Sequence, residues 1–386
     1  MKTKALVIGR RLLAAVLNCA LCAALMGPTA RGAVFSDQAA LAQAAVFAQD
    51  SIFNSVGIIG LYDAGAWSPA GSGVLIGDGS WVLCAGHELN YRPFSNAQFS
   101  LLDSAGGVST VVNASTWQIY PGFTGSGTGQ GVDLALVHLS ETITSVIPGV
   151  VYSGSQGSLS GVTACMAGFG RPGTAGNGVS AHDLIKRAGE NIIGDASYPY
   201  WLESQYLISR FDAPSSASAV ALEWQGSPGD SGGPWMVQDS GIWQVAGIIS
   251  GGTLDPSYNF GNITYAMGVS SYLDWIYGVI GVKPSLSIQD GGTNGVRVQW
   301  PSWATSYVLQ SCTDLAGSNW VAATGGITDD GTNRSATFSI STNGQEFWHL
   351  ARQAALVARS EAVSAAPVWQ GETGTNLLSR GFHEDP

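Results

Sequence analysis

Between residue 55 and about residue 280 the chain is written in short apolar or alternating runs, separated by clusters of Gly, Ser, Pro, Asn and Asp. The runs include SVGIIGLY (55–62), GVLI (73–76), WVLCA (81–85), LALVHL (134–139), VTACMAG (162–168), WQVAGIIS (243–250) and ITYAMGV (263–269). Val, Ile and aromatic residues dominate them, and their spacing predicts hairpin-linked strands of an all-β barrel or sandwich. Strands do not alternate with helical patterns of roughly 10–15 residues, which argues against a doubly wound α/β sheet. One helix is predicted over 269–280, where Val269, Leu273, Ile276 and Ile280 recur at helical intervals. Residues 34–54 are rich in Ala and Gln and read as a further helix or a propeptide.

The pattern changes near residues 281–287. Two alternating runs surround a Gly/Asn turn in PSLSIQDGGTNGVRVQW, followed by SYVLQSC, NWVAAT, ATFSIS and EFWHLA. Residues 284–352 are therefore expected to form a separate small β-sandwich of at least five strands. Residues 353–386 carry no period and read as a poorly ordered tail. At the other end, Lys2, Lys4, Arg10 and Arg11 precede the apolar run LLAAVLNCALCAALM (12–26), which is short for a bilayer span. Small residues follow at 30–33, with Ala30 and Gly32 the better-spaced pair. Residues 1–33 thus have the layout of a secretory signal peptide, and an extracellular or periplasmic location is expected. No later stretch predicts a membrane span.

Composition sharpens this picture. Charged residues are only 11% of the chain while 45% are hydrophobic, as suits a β-rich exported protein. Removing residues 1–32 takes away five basic and no acidic side chains, moving the net charge from −11 to −16. That sign excludes nucleic-acid binding through phosphates. Cys84, Cys165 and Cys312 remain after the leader; an odd number leaves at least one thiol unpaired, and burial as small hydrophobes is the expected use. No Cys/His spacing suggests a metal site, and no cofactor is implied. The acidic turn DDGTN (329–333) lacks the rest of a calcium loop.

Candidate chemistry centres on GSPGDSGGPW (226–235). Acyl transfer by a serine needs a hydroxyl, a neutral imidazole beside it, a carboxylate to fix the imidazole tautomer, and N–H groups for the oxyanion. Ser231 supplies the hydroxyl. The amides of Gly229 and Ser231 can converge on one point only in a tight backbone conformation that glycine permits. Of five histidines, His87 stands where the apolar run WVLCA passes into a turn, the placement expected of a presented reactive group. His138 lies within the run DLALVHL and reads as a structural or surface histidine. His182 falls in a polar loop, His349 in the C-terminal module and His383 in the tail. Asp133 borders the apolar run LALV, so its carboxylate needs a hydrogen-bonding partner, which His87 can provide.

CAGH (84–87), DLAL (133–136) and GDSGGP (229–234), in that order and separated by 46 and 98 residues, resemble the trypsin/chymotrypsin family of serine endopeptidases. GSGVLI (71–76), GIISGG (247–252) and YLDWI (272–276) extend the resemblance over 55–281, just over half the chain. It implies two six-stranded antiparallel β-barrels with the active site between them, and protein or peptide substrates. Residue by residue it implies Ser231 as nucleophile, His87 as general base and then acid, Asp133 as its orienter, and Gly229 and Ser231 as oxyanion hole. Ser250, Gly251 and Gly252 would pair with the substrate backbone, and Gln225 would floor the specificity pocket, favouring cleavage after an uncharged residue.

The family's pattern is departed from in two places. Its activated N-terminus of Ile-Val-Gly-Gly type, whose amine pairs with the acid before the nucleophile, has no counterpart upstream of His87, so Asp230 lacks a named partner. The family's disulfide beside the catalytic histidine is absent, since Glu88 follows His87. Two alternatives stand beside the peptidase: a catalytically silent, protease-like binding protein, and an α/β-hydrolase-type esterase, to which GDSGG also conforms. The C-terminal module resembles small immunoglobulin-like domains of secreted bacterial proteins. Its tryptophans suit either a sandwich core or binding to a surface or polysaccharide.

Overall fold

The computed structural model describes residues 33–353, apart from 91, 103–106, 125–130, 195–205, 254, 293–294, 316–318, 324 and 340–344. The expected leader (but for its last residue, 33) and tail (but for its first, 353) lie outside the described residues, as do Cys19, Cys22 and His383.

Six strands close on themselves as the first barrel: β2 (Val56–Asp63), β3 (Ala66–Ile76), β4 (Trp81–Cys84), β5 (Asn96–Leu102), β6 (Val108–Ile119) and β7 (Ala135–Leu139), ordered β2-β3-β4-β7-β6-β5. Ile59, Leu75, Val82, Phe99 and Val137 fill its interior. Strands β2, β4, β7 and the second part of β3 coincide with the apolar runs because they are buried over most of their length, whereas β6 is largely exposed.

The second half is built from β8 (Val150–Val151), β9 (Thr163–Gly168), β10 (Pro172–Thr174), β11 (Gly178–Val179), β12 (Arg187–Ile192), β13 (Tyr206–Arg210), β14 (Pro234–Asp239), β15 (Ile242–Gly252) and β16 (Ile263–Gly268). Six of them form an antiparallel sheet in the order β12-β9-β14-β15-β16-β13, with β8 added beside β15. The two edge strands of this half-barrel meet at one bridge, Ile193 to Ser209. Trp224 and Trp235 are buried in its interior. A further cluster joins the two halves, running from Phe53, Val74, Leu83 and Leu134 to Cys165, Met236, Ile248 and Ile276. The helix expected at 269–280 is a 3-10 turn, Val269–Tyr272, leading into α2 (Leu273–Ile280), which ends on Gly281 in the left-handed region (φ +78°).

Residues 33–47 are integrated with the second half. The strand β1 (Ala33–Phe35) is wholly buried and pairs in parallel with β10. Val34 and Gln225 exchange both backbone hydrogen bonds, each at 3.0 Å. Helix α1 (Gln38–Phe47) starts at Asp37, whose Oδ1 accepts from the Ala40 amide, and seats Leu41 and Ala44 in the same core as Trp224.

Past α2 come two sheets: β17 (Ser287–Asp290), β18 (Gly295–Pro301), β21 (Thr328–Asp329) and β22 (Asn333–Ser339) in one, β19 (Tyr307–Cys312), β20 (Val321–Ala322) and β23 (Phe347–Arg352) in the other. Val298, Trp300, Leu309 and Ala336 form their shared core. Helix α2 touches this part through Asp274, which accepts from Ser306 Oγ at 2.8 Å, and through Tyr277 against Trp303. Among the described residues no α/β alternation of the kind an α/β-hydrolase requires occurs. No helix among them is long and apolar enough to cross a membrane. Cys84, Cys165 and Cys312 are all free and buried.

The two halves are latched by Ser72 of β3. Its Oγ donates to the Gly229 carbonyl at 2.8 Å and accepts from the Phe169 amide at 3.0 Å, while its own amide donates to the Ser231 carbonyl at 2.7 Å. Ser72→Ala strips two buried backbone groups of their partner. The substitution is expected to lower stability by about 1–3 kcal/mol, read as a lower urea midpoint at unchanged slope.

Candidate active site

The register of the first barrel brings His87 and Asp133 together. Cys84, the last residue of β4, pairs with Ala135, the first of β7, so the turn after β4 and the loop before β7 share one barrel end. His87 sits in the 3-10 turn Gly86–Leu89, 3% exposed, and Asp133 is equally buried. The Asp133 carboxylate accepts from His87 twice: Oδ1 from the backbone amide at 2.8 Å and Oδ2 from ring Nδ1 at 2.7 Å. A carboxylate only accepts, so the imidazole proton belongs on Nδ1 and Nε2 is left as the basic atom. Oδ2 also accepts a short hydrogen bond from Ser250 Oγ of the second half. Burial works to raise the Asp133 pKa, but the His87 charge and the bonds from His87 and Ser250 outweigh it, and the net direction is downward. The group is therefore held ionised.

Ser250 reaches Asp133 because β15 is irregular there. The register against β16 slips between Ile249 and Gly251, leaving Ser250 in a bulge that re-aims its side chain. Beyond this point β15 has left β14, whose pairing stops at Ile248, and residues 251 and 252 pair only with β16 among the described residues. Gly251 and Gly252 are themselves buried.

Ser231 is the turn residue before β14. Gly232 N–H donates to Ile249 O at 2.8 Å and Gly233 N–H to Asp230 O at 2.9 Å, fixing the turn on β15. Asp230 N–H is likewise used, donating to Ser227 O at 3.0 Å. Among the described residues, the Gly229 and Ser231 amides have no such acceptor, which leaves this pair available to an incoming oxyanion. Both glycines flanking the Asp-Ser pair are required. Gly229 and Gly232 have φ of +94° and +76°, and a Cβ on the latter would overlap the Ser72 carbonyl. Ser231 Oγ is buried and makes no hydrogen bond with any described residue.

Gln225 is fully buried, its backbone engaged with Val34 and its side-chain amide without a hydrogen bond among the described residues. Gly251 and Gly252 lie on β15 as expected. His138 stacks on Trp81 at 4.4 Å and hydrogen-bonds Ser115, and His349 stacks on Trp320, so both are structural. Two residues were not singled out by sequence reasoning. His182, read only as part of a polar loop, packs its ring against Gly229 and contributes favourable charge to Asp230. Glu88, visible only as the residue where the family has a cysteine, is completely buried beside the nucleophile turn.

A closed β-barrel and a half-barrel with a buried Ser, His and Asp at their seam is an arrangement consistent with a serine protease. The Trypsin family model matches residues 58–276, more than half of the chain, and the chain belongs to that family. It is a serine-type endopeptidase, a hydrolase acting on peptide bonds. The chain is also similar to a solved structure titled HL collagenase, at 20% identity over 60% of this chain and 95% of that one, with a TM-score of 0.46.

Asp230 has no ordinary carboxylate environment. Oδ1 accepts from Gly170 N–H at 2.8 Å, and Oδ2 from Ser227 N–H and Oγ at 2.9 and 3.1 Å. Burial nonetheless raises its pKa from 3.8 to about 6, against these bonds and the His182 charge. A folded-state value above the unfolded one means that the stabilising contribution is full below about pH 4 and is lost as pH rises through about 6. In the full 386-residue chain, Asp230→Asn should remove a fall of about 3 kcal/mol in unfolding free energy between about pH 4 and pH 7. Parallel pH dependences for the two proteins would contradict this.

Proposed function

We propose that this chain is a secreted serine endopeptidase whose nucleophile is Ser231, with His87 as general base and acid and Asp133 as the group that orients it. The observation that carries the reading is Asp133, which from its loop in the first barrel binds His87 and the second half's Ser250 at once. The assignment gives each atom a task. His87 Nε2 takes the Ser231 proton as Oγ attacks the scissile carbonyl, and the imidazolium is stabilised by the ionised Asp133. The amides of Gly229 and Ser231 receive the developing oxyanion, a donor of this kind contributing about 3–4 kcal/mol. His87 returns the proton to the leaving amine, and water repeats the sequence in reverse to release the acyl group.

Substrate would lie extended along residues 250–252, adding a strand beside β15 on the side away from β16. Gln225 at the pocket floor brings no charge, which supports cleavage after an uncharged residue. In the C-terminal module, proposed as a separate β-sandwich, Trp300 is core and Trp348 packs against Phe338. Attachment to a surface or polysaccharide would therefore fall to other side chains.

Export supplies the missing partner of Asp230. A cut after Gly32 would create an α-ammonium on Ala33, which is 1% exposed and pairs with Pro172, two residues beyond the Gly170 that binds Asp230. A buried ammonium and a buried carboxylate each require a counter-charge, and we infer that these two pair with each other. The leader cut would then also be the activating step.

Purified exported protein should begin at Ala33 by mass spectrometry and hydrolyse peptides. Ser231→Ala should lower kcat by more than about 10³-fold. Equal activity in both proteins would sink the assignment, and an exported, active protein beginning elsewhere would sink the activation step.

A further inference from the structure

Glu88 is a fully buried carboxyl at the seam that the proposed mechanism leaves unused. Its carboxyl is fully buried and lies in the gap between β3 and the nucleophile turn. A Cβ on Gly71 would overlap Oε1, and a Cβ on Gly232 would stand 2.6 and 2.8 Å from the two carboxyl oxygens. Glycine at both positions therefore makes room for this one side chain. Because Glu88 follows His87 in the same turn, its carboxyl physically joins the turn of the base to the turn of the nucleophile.

The surroundings select its protonation state. Neither oxygen makes a hydrogen bond of ordinary geometry, although the amides of Ser72 and Ala85 and the Cys84 thiol face the group. The carbonyls of Ser231 and Ser72 border the same gap and would receive a carboxylic acid's proton but oppose a carboxylate's charge. The titratable neighbours are the Cys84 thiol from β4, the Asp133 carboxylate from the loop before β7, and the chain neighbour His87. Gly71 and Ser72 of β3, and residues 231 and 232, bring no charge. Burial first and the Asp133 charge second push the Glu88 pKa well above the ordinary carboxylate range.

We propose that Glu88 is a positioning residue, a neutral carboxylic acid wedged between Gly71 and Gly232 that holds the His87 turn and the Ser231 turn at their working separation. Ionising it places a second negative charge beside Asp133 in a gap lined by carbonyls, and the two turns part. The role rests on the assignment of Ser231 and His87 above, but the wedge itself has a signature independent of turnover.

The test compares the full chain with Glu88→Gln and Glu88→Ala over pH 5 to 10, reading kcat and KM on a peptide substrate and thermal melting. The expected result is an alkaline fall in kcat that moves up by about one pH unit or more, or vanishes, in Glu88→Gln. Glu88→Ala should lower kcat about tenfold or more with KM changed less than about threefold. Melting of the parent protein should drop as pH rises through the Glu88 pKa, and that drop should be absent in Glu88→Gln. Glu88→Met, which also lacks a titrating proton, replaces the amide in these profiles if Glu88→Gln does not fold. Superimposable pH profiles of both kcat and melting would overturn the proposal, as would full kcat in a folded Glu88→Ala. A parent protein without peptidase activity would contradict the Ser231 assignment, and the melting comparison would still decide for or against the wedge.

Discussion

Asp133 has two oxygens and three donors, and the seam is arranged to satisfy them. It is held in a loop by the pairing of β4 with β7, and a carboxylate buried there is costly unless every lone pair finds a donor. His87 supplies two donors from its own turn and Ser250 the third from the second half. Meeting that requirement fixes the imidazole tautomer, sets the angle of the ring and ties the halves together. The bulge in β15 and the latch at Ser72 bring the second half close enough for this to happen. Rigidity of the barrels and readiness of the site are thus one property.

Ionisable groups at the seam differ in how they are reconciled with burial. Asp133 is surrounded by donors and stays charged. Asp230 has three hydrogen bonds and an imidazole nearby, yet burial still pushes it up to about 6, leaving it short of one full positive charge. Glu88 has weak donors and a charged neighbour, and is held neutral. Three carboxyls within a few residues of the same pair of turns therefore occupy three electrostatic regimes, and the roles proposed for them differ accordingly.

Much of this was legible in the sequence, for identifiable reasons. Strands such as β2, β4, β7 and β16 are buried on both faces, so they stand out as continuous apolar runs between turn residues. His87, Asp133 and Ser231 stood out as candidates because acyl transfer demands those residue types, with glycines beside the serine. The rest was hidden because it depends on tertiary placement. Ser250 looked like a residue of a substrate-binding strand, and only a bulge turns its hydroxyl to Asp133. Residues 34–54 looked detachable because composition says nothing of Val34 pairing with Gln225. His182 gave no signal, since a polar loop does not reveal which buried loop it covers. The glycines around Ser231 were read for the tight backbone they permit, but not for the close packing at Gly232, where the carbonyl of Ser72 and the carboxyl of Glu88 leave no space for a Cβ.

The central claim is that Ser231 is made nucleophilic by His87, itself held by Asp133. Reaction of the folded exported protein with a fluorophosphonate, followed by peptide mapping, tests this most directly. The account predicts a single adduct on Ser231, with its rate of formation abolished by His87→Ala in a protein of unchanged circular dichroism. A folded protein that takes up no label, or an adduct on any other residue, would contradict it.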